Sequence, residues 1–301
     1  MKKLFIAMLA VAAVTACAKD EAISIDRQAI GFGNPFVENS VRADYSVGKS
    51  LTAFTVYGTV TGNSNTVALF GGNGATVRGA VGDDAWTCDE AEYWVPNCSY
   101  AFQAVADGVI NNGAITVSVS DGNLDLLYAE AAATTNEKAE PTGVNSNGVV
   151  EFNFTHLMSK VGFSFVNGCT NTAYGYTITE VSFTGYDSTG TYTIGTGWDT
   201  AVTASNTALN FGTGNVTHQI IPGKQTLNIT IAYDILYGDT DTKTKISATS
   251  VTKSLPSYTF EKGKSYNIAV TIPAPGDEIK FTTTTVSGWT NADNDPTLNF
   301  N

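Results

Sequence analysis

The feature that most limits what this chain can fold into is a two-residue hydrophobic period. Between Asn112-Gly113 and Asp121-Gly122, the residues Ile115, Val117 and Val119 alternate with Thr116, Ser118 and Ser120. Val150, Phe152 and Phe154 alternate with Glu151, Asn153 and Thr155, and the pattern resumes at Val161, Phe163 and Phe165. Successive side chains of a strand point to opposite faces, whereas a helix repeats about every 3.6 residues, so these stretches bury one face only as strands. The Asn-Gly and Asp-Gly flanks supply the backbone freedom of tight turns. Further strands are expected at 51–57, 100–105, 124–128, 176–183, 191–194, 216–221, 227–233, 246–251, 266–272 and 279–286. Residues 61–85 read as long Gly- and Asn-rich turns around a short apolar patch, and 130–147 as a polar loop.

Short strands separated by turns describe a β-sandwich. With 301 residues the chain can bury two ordinary cores. The expected fold class is therefore all-β, two β-sandwich domains in tandem, one over 43–158 and one over 159–301. The formal net charge is −12, and without Lys2 and Lys3 it is −14, from 14 basic and 28 acidic residues. Such a surface repels phosphate backbones, which argues against nucleic acid as a partner.

At the N-terminus, Lys2 and Lys3 precede an apolar run over 4–14 and small residues before Cys17. The run is too short and Ala-rich for a transmembrane span and reads as a secretion signal over 1–16. Val14-Thr15-Ala16-Cys17 resembles a bacterial lipobox, which would make Cys17 the lipidated first residue of the exported chain. Ile23, Ile25, Ile30, Phe32 and Phe36, with Gly31 and Gly33 among them, read as a strand with one inward face. The polar loop 38–50 that follows contains Arg42, and exposed loops are where proteases cut. Arg27, in the same leading segment, is a second basic cleavage candidate, and Arg78 is placed in another Gly-rich loop.

No arrangement points to catalysis or a cofactor. His156 and His218 are the only histidines, no C-x-x-C occurs, and no metal-ligand spacing stands out. Asp83-Asp84 and 239–241 lack the spacing of a calcium loop and read as solvated turns. Cys88 and Cys98 are near enough in sequence to bridge neighbouring strands, a pairing that geometry must decide. Trp86, Trp94, Trp198 and Trp289 admit two readings, a sugar-binding platform or core and corner residues.

Several motifs in order resemble the fimbrillins, subunits of the type V pili of Gram-negative anaerobes. They are the lipobox, Ile30-Gly31-Phe32-Gly33-Asn34-Pro35-Phe36-Val37 with Val41-Arg42-Ala43, and Trp94-Val95-Pro96 with Tyr100-Ala101-Phe102-Gln103-Ala104-Val105. Phe154-Thr155-His156-Leu157-Met158-Ser159-Lys160-Val161 and the closing Ile279-Lys280-Phe281 to Gly288-Trp289 complete the set. The resemblance implies two transthyretin-type sandwiches and a non-enzymatic, cofactor-free structural subunit supporting adhesion. It also implies export to the outer membrane as a lipoprotein and cleavage after Arg42 by an arginine-specific surface protease. Ala43 would be the new N-terminus, and the segment 17–42 would be lost. The partners implied are other pilin subunits, joined by strand exchange in a surface fimbrium. A donor strand from the C-terminal region is expected to present Ile279, Phe281, Leu298 and Phe300. The alternative is a surface-anchored glycan-binding or tip lipoprotein that is not polymerised as stalk.

Overall fold

A computed structural model describes residues 28–37, 44–46, 49–80, 83, 86–120, 122–199, 203–214, 216–239, 241–286 and 297–299. Within these residues the protein is built from strands, with one 3-10 turn at Phe70–Gly72. The expected all-β class holds.

The first half forms a nine-stranded sheet. Its main order runs Phe36–Val37, Asn153–His156, Leu127–Thr135, Ser99–Ala106, Ala53–Gly62, Ala75–Arg78 and Thr87–Cys88. Asn65–Ala68 folds back on Ala53–Gly62, and Pro141–Thr142 pairs with Leu127–Thr135. Alternation explains which face is dry: Phe152 and Phe154 are buried while Glu151 and Asn153 are exposed. The dry face carries a core of Phe32, Phe54, Phe70, Phe102, Phe152 and Phe154 with Trp86 and Trp94.

The second half is a sandwich. One sheet runs His218–Ile220, Ser159–Asn167, Ser265–Ile272, Lys280–Val286 and Thr297–Asn299; the other runs Leu209–Asn210, Tyr174–Thr184, Asn228–Tyr237 and Thr244–Ser254. Val161, Ile268 and Val270 of the first share a core with Val181, Phe183, Ile229 and Ile231 of the second. In Asn228–Tyr237 every second residue from Ile229 to Ile235 is buried, as a strand with one covered face requires.

Several sequence expectations need correction. Residues 61–85 contain the strands Asn65–Ala68 and Ala75–Arg78, so Arg78 ends a strand rather than lying in a loop. The strand expected to stop at Tyr128 continues to Thr135, through alanines that pair with Ser99–Ala106. A division at Ser159 does not separate the cores either. The strand Ala114–Ser118 pairs with Asp187–Thr193, and Val105, Ile115, Val117, Val119, Leu126 and Tyr128 pack with the second-half residues.

Candidate assembly site

The leading segment, residues 28–37, joins the two ends of the first sheet. Gly31–Phe32 runs parallel to Val149–Val150, and Phe36–Val37 runs parallel to Asn153–His156, at one end of the strand order. On its other side Ala29 and Phe32 form antiparallel bridges to Tyr93 and Trp86, the latter adjoining Thr87–Cys88 at the opposite end. Both flanks are hydrogen-bonded. Gly33 N donates to Val150 O at 2.9 Å and Phe36 N to Phe152 O at 2.8 Å. Opposite them, Ile30 N donates to Glu92 O at 2.8 Å, and Trp86 N and Trp94 N donate to Phe32 O and Gln28 O at 2.9 and 3.1 Å. A sheet closed in this way has no free edge along the seam, and the leading segment is what closes it.

The side chains of the segment are equally committed. Phe32 is 1% exposed; its ring stacks on Phe152 at 5.9 Å and meets Phe102 edge-on at 6.1 Å and Phe70 at 6.3 Å. Such aromatic pairs add about 0.5–1.5 kcal/mol each beyond burial. Ile30 and Val37 are buried beside it. Phe70 adopts a positive φ of 54°, uncommon for an aromatic residue, and its N–H is held by Glu92 Oε1 at 2.9 Å. Gly31 permits the close seam: a Cβ there would lie 2.8 Å from Val149 Cγ1.

One inward residue differs from expectation. Phe36 is 37% exposed and Val37 points into the core. Gly33-Asn34-Pro35 separates the two short strands and shifts the alternation, and Pro35 has no N–H to continue a ladder. Ile23, Ile25, Cys17, Arg27, Arg42 and Ala43 lie outside the described residues.

At the other end of the chain, Ile279 and Phe281 are buried in the second core. Lys280–Val286 pairs antiparallel with Ser265–Ile272, with Phe281 opposite Val270, and Thr297–Asn299 adds beyond it with Leu298 opposite Thr283. Phe300 lies outside the described residues, as does Trp289.

Cys88 and Cys98 do not form the bridge considered from sequence; both are free thiols, as is Cys169. Cys88 faces Val77, which faces Phe54, whereas Cys98 Sγ lies against Gly62. Eight residues of the same strand separate those positions, roughly 26 Å at ~3.3 Å per residue, far beyond disulfide reach. Burial pushes both thiols up from their ordinary pKa.

Two further groups bear on catalysis and sugar binding. His156 Nδ1 lies 2.9 Å from Asp125 Oδ1 with both side chains buried, and Ser159 Oγ donates to Glu261 O at 2.8 Å. These residues are closed to a substrate and act as a structural junction where Asn153–His156 meets Ser159–Asn167. Burial raises the pKa of Asp125, with His156 and Lys160 opposing, and burial lowers that of Lys160. Trp86 and Trp94 are core residues, and half-buried Trp198 donates Nε1–H to Leu157 O at 2.8 Å, so these three form no exposed platform. Among the described residues no three His, Cys, Asp or Glu side chains converge as a metal site.

Comparisons with known proteins agree with this architecture. A candidate cell adhesion protein from Bacteroides uniformis is 17% identical, with 88% of this chain and 99% of that chain covered and a TM-score of 0.57. One from Bacteroides ovatus is 16% identical over 89% and 99%, with a TM-score of 0.58. A fimbrial protein from Bacteroides vulgatus is 17% identical over 88% and 100%, with a TM-score of 0.55. At these identities the likeness is one of fold. No curated protein sequence matches the chain significantly. The model of one family, described as fimbrillin-like, matches residues 42–289, beginning at Arg42 and leaving 28–37 outside. The chain belongs to the fimbrillin-like family.

Proposed function

We propose that this protein is a structural subunit of a cell-surface pilus, exported as a lipoprotein on Cys17 and polymerised after cleavage between Arg42 and Ala43. The observation that carries the reading is the double-flanked, core-filling position of residues 28–37. Cleavage at 42 frees that segment from the body without cutting any of the sheet strands that follow. Its departure takes the lipid attachment with it and leaves two unpaired backbone rows and an apolar slot vacated by Ile30, Phe32 and Val37. Burying polar backbone without partners is unfavourable, and exposing an apolar slot is too, so the opened subunit takes up another strand.

A strand from a second copy supplies main-chain hydrogen bonds and alternate side chains for the slot. Donor and slot lie on different parts of one subunit, so the contact is head-to-tail and propagates as a fibre. We assign the donor to the C-terminal region. Ile279 and Phe281 already serve their own core, so using them requires the strand Lys280–Val286 to leave its sheet. The terminal stretch with Leu298 and Phe300 would give up, among the described residues, the three-residue end pairing of Thr297–Asn299 with Lys280–Val286, a smaller loss, and it is the preferred donor.

The test is limited digestion of the full-length chain with an arginine-specific protease, followed by intact mass, N-terminal sequencing and electron microscopy. A resistant product beginning at Ala43 that assembles into fibres is the expected result. An uncut, monomeric protein would overturn the polymerising role and leave the adhesin or tip reading, to be tested by glycan binding in calorimetry.

A further inference from the structure

The link between the two short leading strands carries an unexplained buried group. Asn34 is 7% exposed, and neither its amide oxygen nor its amide nitrogen has a partner. Leaving both ends of a buried amide unpaired is unfavourable, and such groups are rare in native proteins. Asn34 lines a cavity of about 210 Å³ whose walls include Asp83, Asn145, Ser146, Asn147 and Glu151. Three segments distant in sequence therefore meet here: the leading segment, the residue Asp83, and the turn before Val149–Val150.

The donors around this cavity are partly preset. Glu151 Oε1 accepts from Asn145 Nδ2 at 2.8 Å, which fixes the carboxylate and leaves its second oxygen free for another contact. Asp83 Oδ2 accepts from Ala80 N at 2.8 Å, and its Oδ1 has no partner among the described residues. Asn145 Oδ1 is occupied in shaping the turn, accepting from Asn147 N at 2.9 Å and Val149 N at 3.2 Å. What remains is an all-oxygen set: two carboxylates, the Asn34 amide, and the Ser146 and Asn147 side chains. No thiol or imidazole lines the cavity.

We propose that this cavity binds one divalent hard cation, calcium in particular, with Asn34, Asp83 and Glu151 as ligands. Oxygen-only donors with two negative charges select hard cations over zinc or copper. Calcium accepts irregular coordination completed by water, whereas magnesium requires a near-octahedral cage that a turn, a link and a lone aspartate do not form. Asp83, a solvated turn when read from sequence, becomes a ligand only because folding brings it to Asn34 and Glu151. The cation ties the leading segment to the body, so its loss loosens the seam; the consequence for assembly rests on the processing reading above, but the binding does not.

The test uses the full-length chain, stripped with chelator, titrated with calcium chloride in a calorimeter and heated with and without calcium. One-to-one binding with a dissociation constant of about 10⁻⁴–10⁻³ M, typical of extracellular sites, and a raised Tm are expected. Magnesium should bind more weakly. Asp83→Asn and Glu151→Gln, which keep shape and remove charge, should each weaken binding at least ~tenfold, while Asp241→Asn should not. Asn34→Ala should weaken it as well. Circular dichroism identifies any variant that fails to fold, and the exposed Asp83 variant then stands alone as the decisive one. Absence of binding at 10 mM calcium (about tenfold above that range), or equal affinity in the folded Asp83→Asn and wild-type chains, would overturn the proposal and leave Asn34 as a water-bridged structural amide. Calcium binding without cleavage at Arg42 would uphold the site while removing the pilus reading; cleavage and fibres without calcium binding would do the reverse.

Discussion

The leading segment and the closing strand hold the fold by different means. Residues 28–37 contain only two two-residue strands, yet they join both ends of the first sheet and bury Ile30, Phe32 and Val37 in its core. Lys280–Val286 keeps continuous register with Ser265–Ile272 along its length, with Ile279 just before it and Phe281 near its start buried in the second core; four threonines follow. Side-chain burial and seam closure mark the first case, and a long continuous pairing the second. The proposed cleavage after Arg42 would cut the one connection between such a core-filling segment and the strands that follow it.

The largest effect should come from Phe32→Ala in the uncleaved chain. Truncating a fully buried aromatic costs about 3–5 kcal/mol, whereas Phe36→Ala, one seam residue away in role but facing outward, should cost less than ~1 kcal/mol. Urea unfolding of the two variants measures the contrast, and equal losses would erase the assigned inward face. Ile279→Ala should cost about 2–4 kcal/mol. Because Ile279 and Phe32 sit in separate cores, the double variant should be additive within ~0.5 kcal/mol. Strong coupling would mean that the two ends of the chain communicate.

Gly31→Ala probes the seam itself. Its Cβ would meet Val149 Cγ1 at 2.8 Å, and overpacking of this kind costs about 1–3 kcal/mol. Gly31→Ala with Val149→Ala should recover part of the loss, which thermal melts can read.

The smallest effect concerns the junction outside both regions. Burial raises the pKa of Asp125, so the stability that its neutral form provides is fully present below the ordinary aspartate range and is lost as pH rises through the raised value. Lys160 has the opposite sign: its depressed pKa means stability present at high pH and lost as pH falls through the lowered value. Asp125→Asn should flatten the acid-side dependence in denaturation curves taken across pH. An unchanged curve would assign that dependence to other carboxylates.

Local pattern made the strands at 115–118, 150–154 and 161–165 readable because side-chain alternation depends only on the pleat. Asn65–Ala68 and Ala75–Arg78 were hidden by glycine and asparagine, and Ala131–Ala133 by the low strand preference of alanine; pairing with Ala53–Gly62 and Ser99–Ala106 overrides those preferences. The seam was legible only in part. Ile30 and Phe32 announced an inward face, but the shift at Gly33-Asn34-Pro35 that turns Phe36 outward depends on two parallel partners more than a hundred residues away. The meeting of Asn34 with Asp83 and Glu151, and the separation of Cys88 from Cys98, follow from which strands pair and not from spacing along the chain. The crossing of Ala114–Ser118 into the second half is likewise a property of sheet order, which composition does not encode.

The most direct test of the removable seam is amide hydrogen exchange at Trp86 and Trp94, whose N–H groups donate to carbonyls of the leading segment. Slow exchange in the uncleaved chain, fast exchange in the subunit cut at Arg42 and stripped of its segment, and slow exchange again in fibres is the predicted sequence. If both amides stay protected in a cut subunit that has lost residues 17–42 and remains monomeric, or stay unprotected in fibres, a strand from a neighbour does not replace the leading segment and the account is wrong.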